Sequence, residues 1–172
     1  PLKGLDFTLR AIAVAKDKYP LINLVVIGKP RSGGHTERLI SNLGIDELVS
    51  FKTNLTTQEV SDEYASSQIA IVSSLYEGFG FPVGEAMACA VPLIATDVAS
   101  IPEITGPYAE MIAPESHEDI FNSLDNILQN YDRFIKKANL GRDHILQNFS
   151  WSVIENSYIE HISSTLTSHA DI

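Results

Sequence analysis

The chain is poor in cysteine and in basic charge, and it has no long apolar run. A single cysteine, Cys89, stands among 172 residues. No disulfide can close within the chain, which excludes a disulfide-stapled secreted scaffold. Twelve Lys and Arg are set against twenty-two Asp and Glu, a net charge of −10. Nucleic-acid binding and adhesion to an anionic membrane both need a basic face, so this balance argues against either. No segment reaches the roughly 20 apolar residues that cross a bilayer, and no signal-peptide pattern is found. A reducing cytoplasm is the compartment that fits. The five histidines, at 35, 117, 144, 161 and 169, share no metal-ligand spacing and are expected at the surface.

What remains is an ordinary globular composition, 44% apolar and 20% charged, in a length that suits one domain over 1–172. The chain begins at Pro1 and is expected to be a piece of something longer. Apolar runs alternate with helix-period segments, the pattern of βαβ units and a parallel sheet. Leu5, Leu9, Ile12 and Ala13 give a first helix its buried stripe. The strands are expected at 22–28, 49–52, 69–73, 92–96 and around 109–113. Between them, helices are expected near 37–43, over 58–66 and from Pro82 onward. From Ser116 the pattern is helical only, with Ile120, Phe121, Leu124, Ile127 and Leu128 on one face and then Phe134, Ala138 and Ile145. Ser150 is the expected N-cap of a last helix over about 150–168 with the stripe Ile154, Tyr158, Ile162 and Leu166. Met87, Cys89 and Trp151 are expected to fill core space.

The most informative segment is Glu77-Gly78-Phe79-Gly80-Phe81-Pro82-Val83-Gly84-Glu85. It follows a buried-strand run and leads through glycines into a helix start. Free N–H groups and the helix dipole favour phosphate there, and small residues let a ligand approach the main chain. Ionised carboxylates only accept hydrogen bonds, so Glu77 and Glu85 suit hydroxyl donors beside the phosphates. A diphosphate with hydroxyls on both sides is a sugar nucleotide. Taken singly, Glu77 reads as a solvated loop charge, and Glu85 as a first-turn glutamate favoured by about 0.3–1 kcal/mol. The loop Gly28-Lys29-Pro30-Arg31-Ser32-Gly33-Gly34 follows a strand end, where open α/β sheets bind ligands. It lacks the Gly-Lys-Ser/Thr of a P-loop. Gly28 and Arg31 are candidates to meet base or phosphates, with a solvated loop charge as the other reading of Arg31.

The stretch from Ser73 to Phe81, followed by Glu85-Ala86-Met87-Ala88-Cys89-Ala90-Val91-Pro92-Leu93-Ile94-Ala95-Thr96, resembles the donor-site motif of the retaining glycosyltransferases of family 4. Lys3-Gly4, Val26-Ile27-Gly28, Ile101-Pro102-Glu103 and Phe149-Ser150-Trp151 fall in that family's order, so the resemblance covers nearly the whole chain. It implies the C-terminal, donor-binding half of a GT-B architecture: a Rossmann-like parallel sheet with helices on both faces and a helical C-terminal tail. It also implies roles. Glu77 would contact the transferred sugar and Glu85 the ribose hydroxyls. Backbone N–H groups around Gly78, Phe79, Gly80 and Phe81 would hold sugar and diphosphate, and Lys3 would neutralise the leaving diphosphate without a metal. The acceptor site would lie in an N-terminal domain absent from this chain, leaving the isolated chain inactive.

Departures from the family are visible. Ala90 stands where glycine is usual, and Ala99-Ser100 replaces a glycine pair, which would stiffen the backbone. The family's phosphate-binding arginine belongs before Lys3, as does the first, central strand of a sheet ordered 3-2-1-4-5-6. A sheet split at its centre would leave unpaired groups at on the order of 1–3 kcal/mol each. Upstream residues, a tag or a second chain are expected to fill the gap, and self-association through open edges is an option. Two other readings stay open: a sugar-nucleotide epimerase on the same architecture, and a catalytically silent nucleotide-sensing or interaction domain.

Overall fold

The computed structural model describes residues 2–168. In chain order its elements are α1 (Leu5–Ala15), β1 (Leu24–Ile27), α2 (His35–Leu43), β2 (Val49–Lys52), α3 (Thr57–Ser66), β3 (Ala70–Val72), α4 (Phe81–Ala88), β4 (Leu93–Thr96), α5 (Ile101–Thr105), β5 (Glu110–Ile112), α6 (His117–Gln129), α7 (Tyr131–Phe149) and α8 (Trp151–Ser168). The expected elements are all present, with boundaries moved by a few residues. The short α5 was not anticipated as a helix. Local chemistry sets several starts. Thr56 caps α3 in a reciprocal box: its hydroxyl accepts from Glu59 N–H while Glu59 Oε2 accepts from Thr56 N–H. Ser116 Oγ accepts from Asp119 N–H at the head of α6.

All strand pairs are parallel, in the orders β1-β2 and β3-β4-β5. Among the described residues the sheet is therefore not continuous. It divides between β1 and β3, where the sequence pattern left room for a central strand. The strand β4 lies between two neighbours and is buried along its whole length. Its side chains alternate between two cores. Leu93 and Ala95 join Val83, Met87, Ile101, Ile104 and Ile145, from α4, α5 and α7, on one face. On the other face Ile94 joins Ile12, Ile120, Leu124 and Ile127 of α1 and α6. A third cluster, built on Leu9, Leu39, Ile40 and Ile45, packs against β1 and β2. Helices thus cover both faces, and the continuous apolar character of 92–96 reflects burial on both sides.

Two sequence expectations need comment. Met87 is buried as expected and Cys89 is half-buried against the same core, but Trp151 is 85% exposed. Trp151 opens α8, which contacts α7; Tyr158 and Ile162 farther along are exposed as well. A 3.6-residue stripe specifies a helix, and the burial of that stripe depends on a surface to meet it. The carbonyl of Ser150 accepts from Ile154 N–H, as an N-cap residue's does. The side chain of Leu166, and all of His169, lie outside the described residues.

Ala90 and Ala99 both adopt the left-handed conformation, with φ 55° and 48°. After α4 the bonds Val91 N–H to Ala86 O and Ala90 N–H to Met87 O form a Schellman stop with alanine at the position glycine usually takes. The backbone keeps the turn and carries the strain of a Cβ in it, about 1–2 kcal/mol. Ala90→Gly should relieve that strain, and the more flexible unfolded chain offsets about 0.4–1 kcal/mol. A net gain of about 0.5–1 kcal/mol in urea unfolding is expected, and a loss would refute the strain assignment. Hydrogen exchange should rank the strands as well. Amides of β4 should be protected near the global limit, and those of β1 and β3 on the divided edge should exchange through local openings. Equal protection across the three strands would contradict the divided sheet.

Candidate functional site

The start of the chain is docked onto the turn that follows β3. Gly4 has φ 62°, and a Cβ built there would lie 1.8 Å from the carbonyl oxygen of Ser73. Only glycine allows this approach. Leu75 N–H donates to Leu2 O at 2.8 Å and Ser73 Oγ to Lys3 O at 3.2 Å. The Lys3-Gly4 pair is thereby placed beside Glu77, and Lys3 Nζ lies 2.6 Å from Glu77 Oε1.

Glu77 is not the solvated loop charge that its sequence position alone would indicate: it is 8% exposed. Ser74 Oγ donates to the same Oε1 at 2.7 Å. Burial pushes the Glu77 carboxyl towards its neutral form. The hydrogen bonds from Lys3 and Ser74, with the Lys3 charge, outweigh this and hold its pKa below the ordinary value.

Three residues on, Gly80 takes φ 88° as the N-cap of α4, with Phe81 and Pro82 opening the helix. The loop before it is braced from outside. Ser100 Oγ donates to Phe79 O at 3.0 Å, and the Phe79 ring lies 5.1 Å from Phe81 and edge-on to Phe149 at 6.2 Å. Ser100, noted above as a departure from glycine, therefore supplies a hydrogen bond to the glycine loop. Glu85 projects from the second turn of α4, is exposed, and bears electrostatically on Tyr64. Burial first, then the Glu85 and Cys89 charges, push Tyr64 up to about 12. Its hydroxyl stays protonated and donates to Pro82 O at 3.3 Å.

Lys3, Gly28, Arg31, Glu77 and Glu85 line one cavity of about 1220 Å³. It runs between β1 and β3 and is walled by α1, α3, α4 and α6. Gly78, Phe79, Gly80 and Phe81 are not among its lining residues; Pro82 is. Among the described residues no group of three or more His, Cys, Asp or Glu could hold a metal ion. None of the described helices is long and apolar enough to cross a membrane. His144, expected at the surface, is half-buried and meets Ile104 O at 3.1 Å. The sequence pattern did not single out Ser74 or Thr96. Each is a small hydroxyl residue at a strand end, and only the packing of the strands shows what it bonds.

Parallel strands between two helical layers define a Rossmann-like α/β domain of the GT-B type. The chain belongs to the glycosyl transferases group 1 family, whose model matches residues 1–142. It is 32% identical over 157 residues to the MMP alpha-(1->4)-mannosyltransferase of Mycolicibacterium hassiacum, covering 90% of this chain and 38% of that protein. The chain thus spans well under half the length of that curated relative. Among solved structures it is similar to the C-terminal domain of a glycosyl transferase group 1 family protein (LpcC) from Francisella tularensis, with 28% identity and a TM-score of 0.77, over 87% of this chain and 81% of that one. The fold also matches Anabaena Alr3699/HepE, solved with UDP and glucose, at a TM-score of 0.85 and 20% identity, over 95% of this chain and 46% of that one.

The Lys3–Glu77 pair carries a pH signature. Because the folded pKa of Glu77 lies below 4.5, the pair stabilises the fold fully above about pH 4.5. That contribution is lost as the pH falls through the folded value. Lys3→Ala should cost about 0.5–1 kcal/mol in denaturant unfolding at pH 7, the scale of an ion pair with one exposed partner. The difference from the unmodified chain should close as the pH falls through the folded value of Glu77. A difference independent of pH would show that Lys3 acts through packing alone.

Proposed function

We propose that this chain is the donor-binding half of a retaining hexosyltransferase that uses a nucleoside diphosphate sugar. The observation that carries the reading is the convergence of a buried carboxylate, its lysine partner, a second glutamate and an arginine beyond the carboxyl ends of β1 and β3, at the mouth of the gap between them. Open α/β sheets bind ligands at such a position. Family membership supports transfer of a sugar, and the relative of known activity named above is a mannosyltransferase.

In this reading Glu77 accepts hydrogen bonds from the sugar hydroxyls and Glu85 from the ribose. Lys3, Arg31 and the N–H groups from Gly78 to Phe81 face the diphosphate, and Gly28 leaves room for it. During transfer the bond between the anomeric carbon and the diphosphate oxygen breaks, its electron pair leaving with the diphosphate. A bond to the acceptor oxygen forms on the same face, and the acceptor's proton passes to the departing diphosphate oxygen. Negative charge grows on the leaving group, so a cation and a helix start aimed at it lower the barrier electrostatically, with no metal required. The acceptor site belongs to a further domain, and a cytoplasmic setting fits the composition.

Calorimetric titration of the chain with UDP, GDP and ADP tests this. One diphosphate should bind selectively, and Glu85→Ala should weaken it by about tenfold, the scale of a hydrogen bond to a charged group. A folded chain that binds none of the three would overturn the donor-site reading in favour of a silent interaction domain.

A further inference from the structure

The turn after β3 does more than end a strand. Ser73, Ser74 and Leu75 each make a bond that bears on the Lys3–Glu77 pair. Ser73 Oγ and Leu75 N–H hold the main chain of residues 2–3, and Ser74 Oγ holds the Glu77 carboxylate. Ser74 is 2% exposed. Its own carbonyl accepts from Thr96 Oγ1 at 2.5 Å, and Thr96, at the end of the doubly paired strand β4, is equally buried. A connected series of bonds therefore runs from the most enclosed strand of the sheet to the carboxylate that lines the cavity.

Both bonds to Glu77 fall on the same oxygen. Oε1 takes Lys3 Nζ and Ser74 Oγ, and Oε2 has no partner among the described residues. Two donors on one oxygen fix the carboxylate's rotation about its last bond, so one oxygen is committed to the protein and the other is left for a ligand. We propose that Ser74, held by Thr96, is a positioning residue that fixes Glu77 so that Oε2 is the oxygen presented to the donor sugar. Its function in transfer rests on the donor-site reading above, whereas its hold on Glu77 does not. The plainer alternative is that a buried hydroxyl has merely found an acceptor. The two differ in what happens to Glu77 when the hydroxyl is removed.

The test begins without ligand. In the unmodified chain, carbon-detected NMR should show the Ser74 Cβ resonance titrating together with the Glu77 carboxyl, since the two share a hydrogen bond. Lys3 is the charged group in contact with Glu77, and Glu85 lines the same cavity, so both are followed in the same titration. Ser74→Ala should raise the Glu77 pKa. Thr96→Val, which leaves the Ser74 hydroxyl in place but frees its backbone, should move it in the same direction by less. A Ser74 resonance blind to Glu77 ionisation in the unmodified chain overturns the proposal even if neither variant folds. So does a Glu77 pKa unchanged in a folded Ser74→Ala variant.

The second arm compares UDP with UDP-glucose, and the GDP and ADP counterparts, by calorimetry. Ser74→Ala should leave affinity for the free diphosphate within about twofold and weaken the sugar nucleotide by about tenfold. Equal loss for both ligands would count against positioning of a sugar contact. If the unmodified chain binds neither ligand, the donor-site reading fails while the ligand-free titration still decides the hold of Ser74 on Glu77.

Discussion

The close approach of Gly4 to the carbonyl of Ser73 is the contact on which the site depends. Without a side chain at residue 4, the chain can pass against the end of β3 and turn into α1, whose residues Ala11, Ile12 and Ala15 then enter the core beneath the sheet. The same approach puts a lysine against a glutamate 74 positions later in sequence. Local packing of one backbone on another therefore sets an electrostatic arrangement that neither segment could form alone.

The charges balance in an uneven setting. Glu77 is buried and Lys3 largely exposed, so the carboxylate bears most of the desolvation and would favour its neutral form without the two donors on Oε1. An overall charge of −10 does nothing to assist binding of an anionic ligand at long range. The basic side chains that line the cavity are Lys3, Lys18, Lys29 and Arg31. The glycine loop between Glu77 and α4 is held by Ser100 and by Phe149, at the junction of α7 and α8. Residues far apart in sequence thus determine the loop's shape.

Alanine at two left-handed positions shows how strongly the turns are specified. Ala90 and Ala99 keep conformations that glycine would adopt at lower cost, because the bonds that close the Schellman stop and the packing of α4, α5 and β4 leave the backbone no alternative. The substitution changes the energy of the turn and leaves its path intact.

Periodicity alone determined most of the architecture. Five strands and the long helices could be located because each carries apolar residues at its own period, and the parallel class follows from their alternation. The spacing of Glu77, the glycines and Glu85 marked a candidate site for the same local reason: strand end, loop and helix start are contiguous in sequence. Tertiary structure decided the rest. The exposure of Trp151 depends on whether another surface meets α8, and an amphipathic pattern is silent on that. The burial of Glu77 depends on the arrival of residues 2–4 from the far end of the domain. The part of Ser74 and Thr96 depends on which strands lie side by side, because a hydroxyl's partner is a matter of distance in space and sequence spacing carries no record of it.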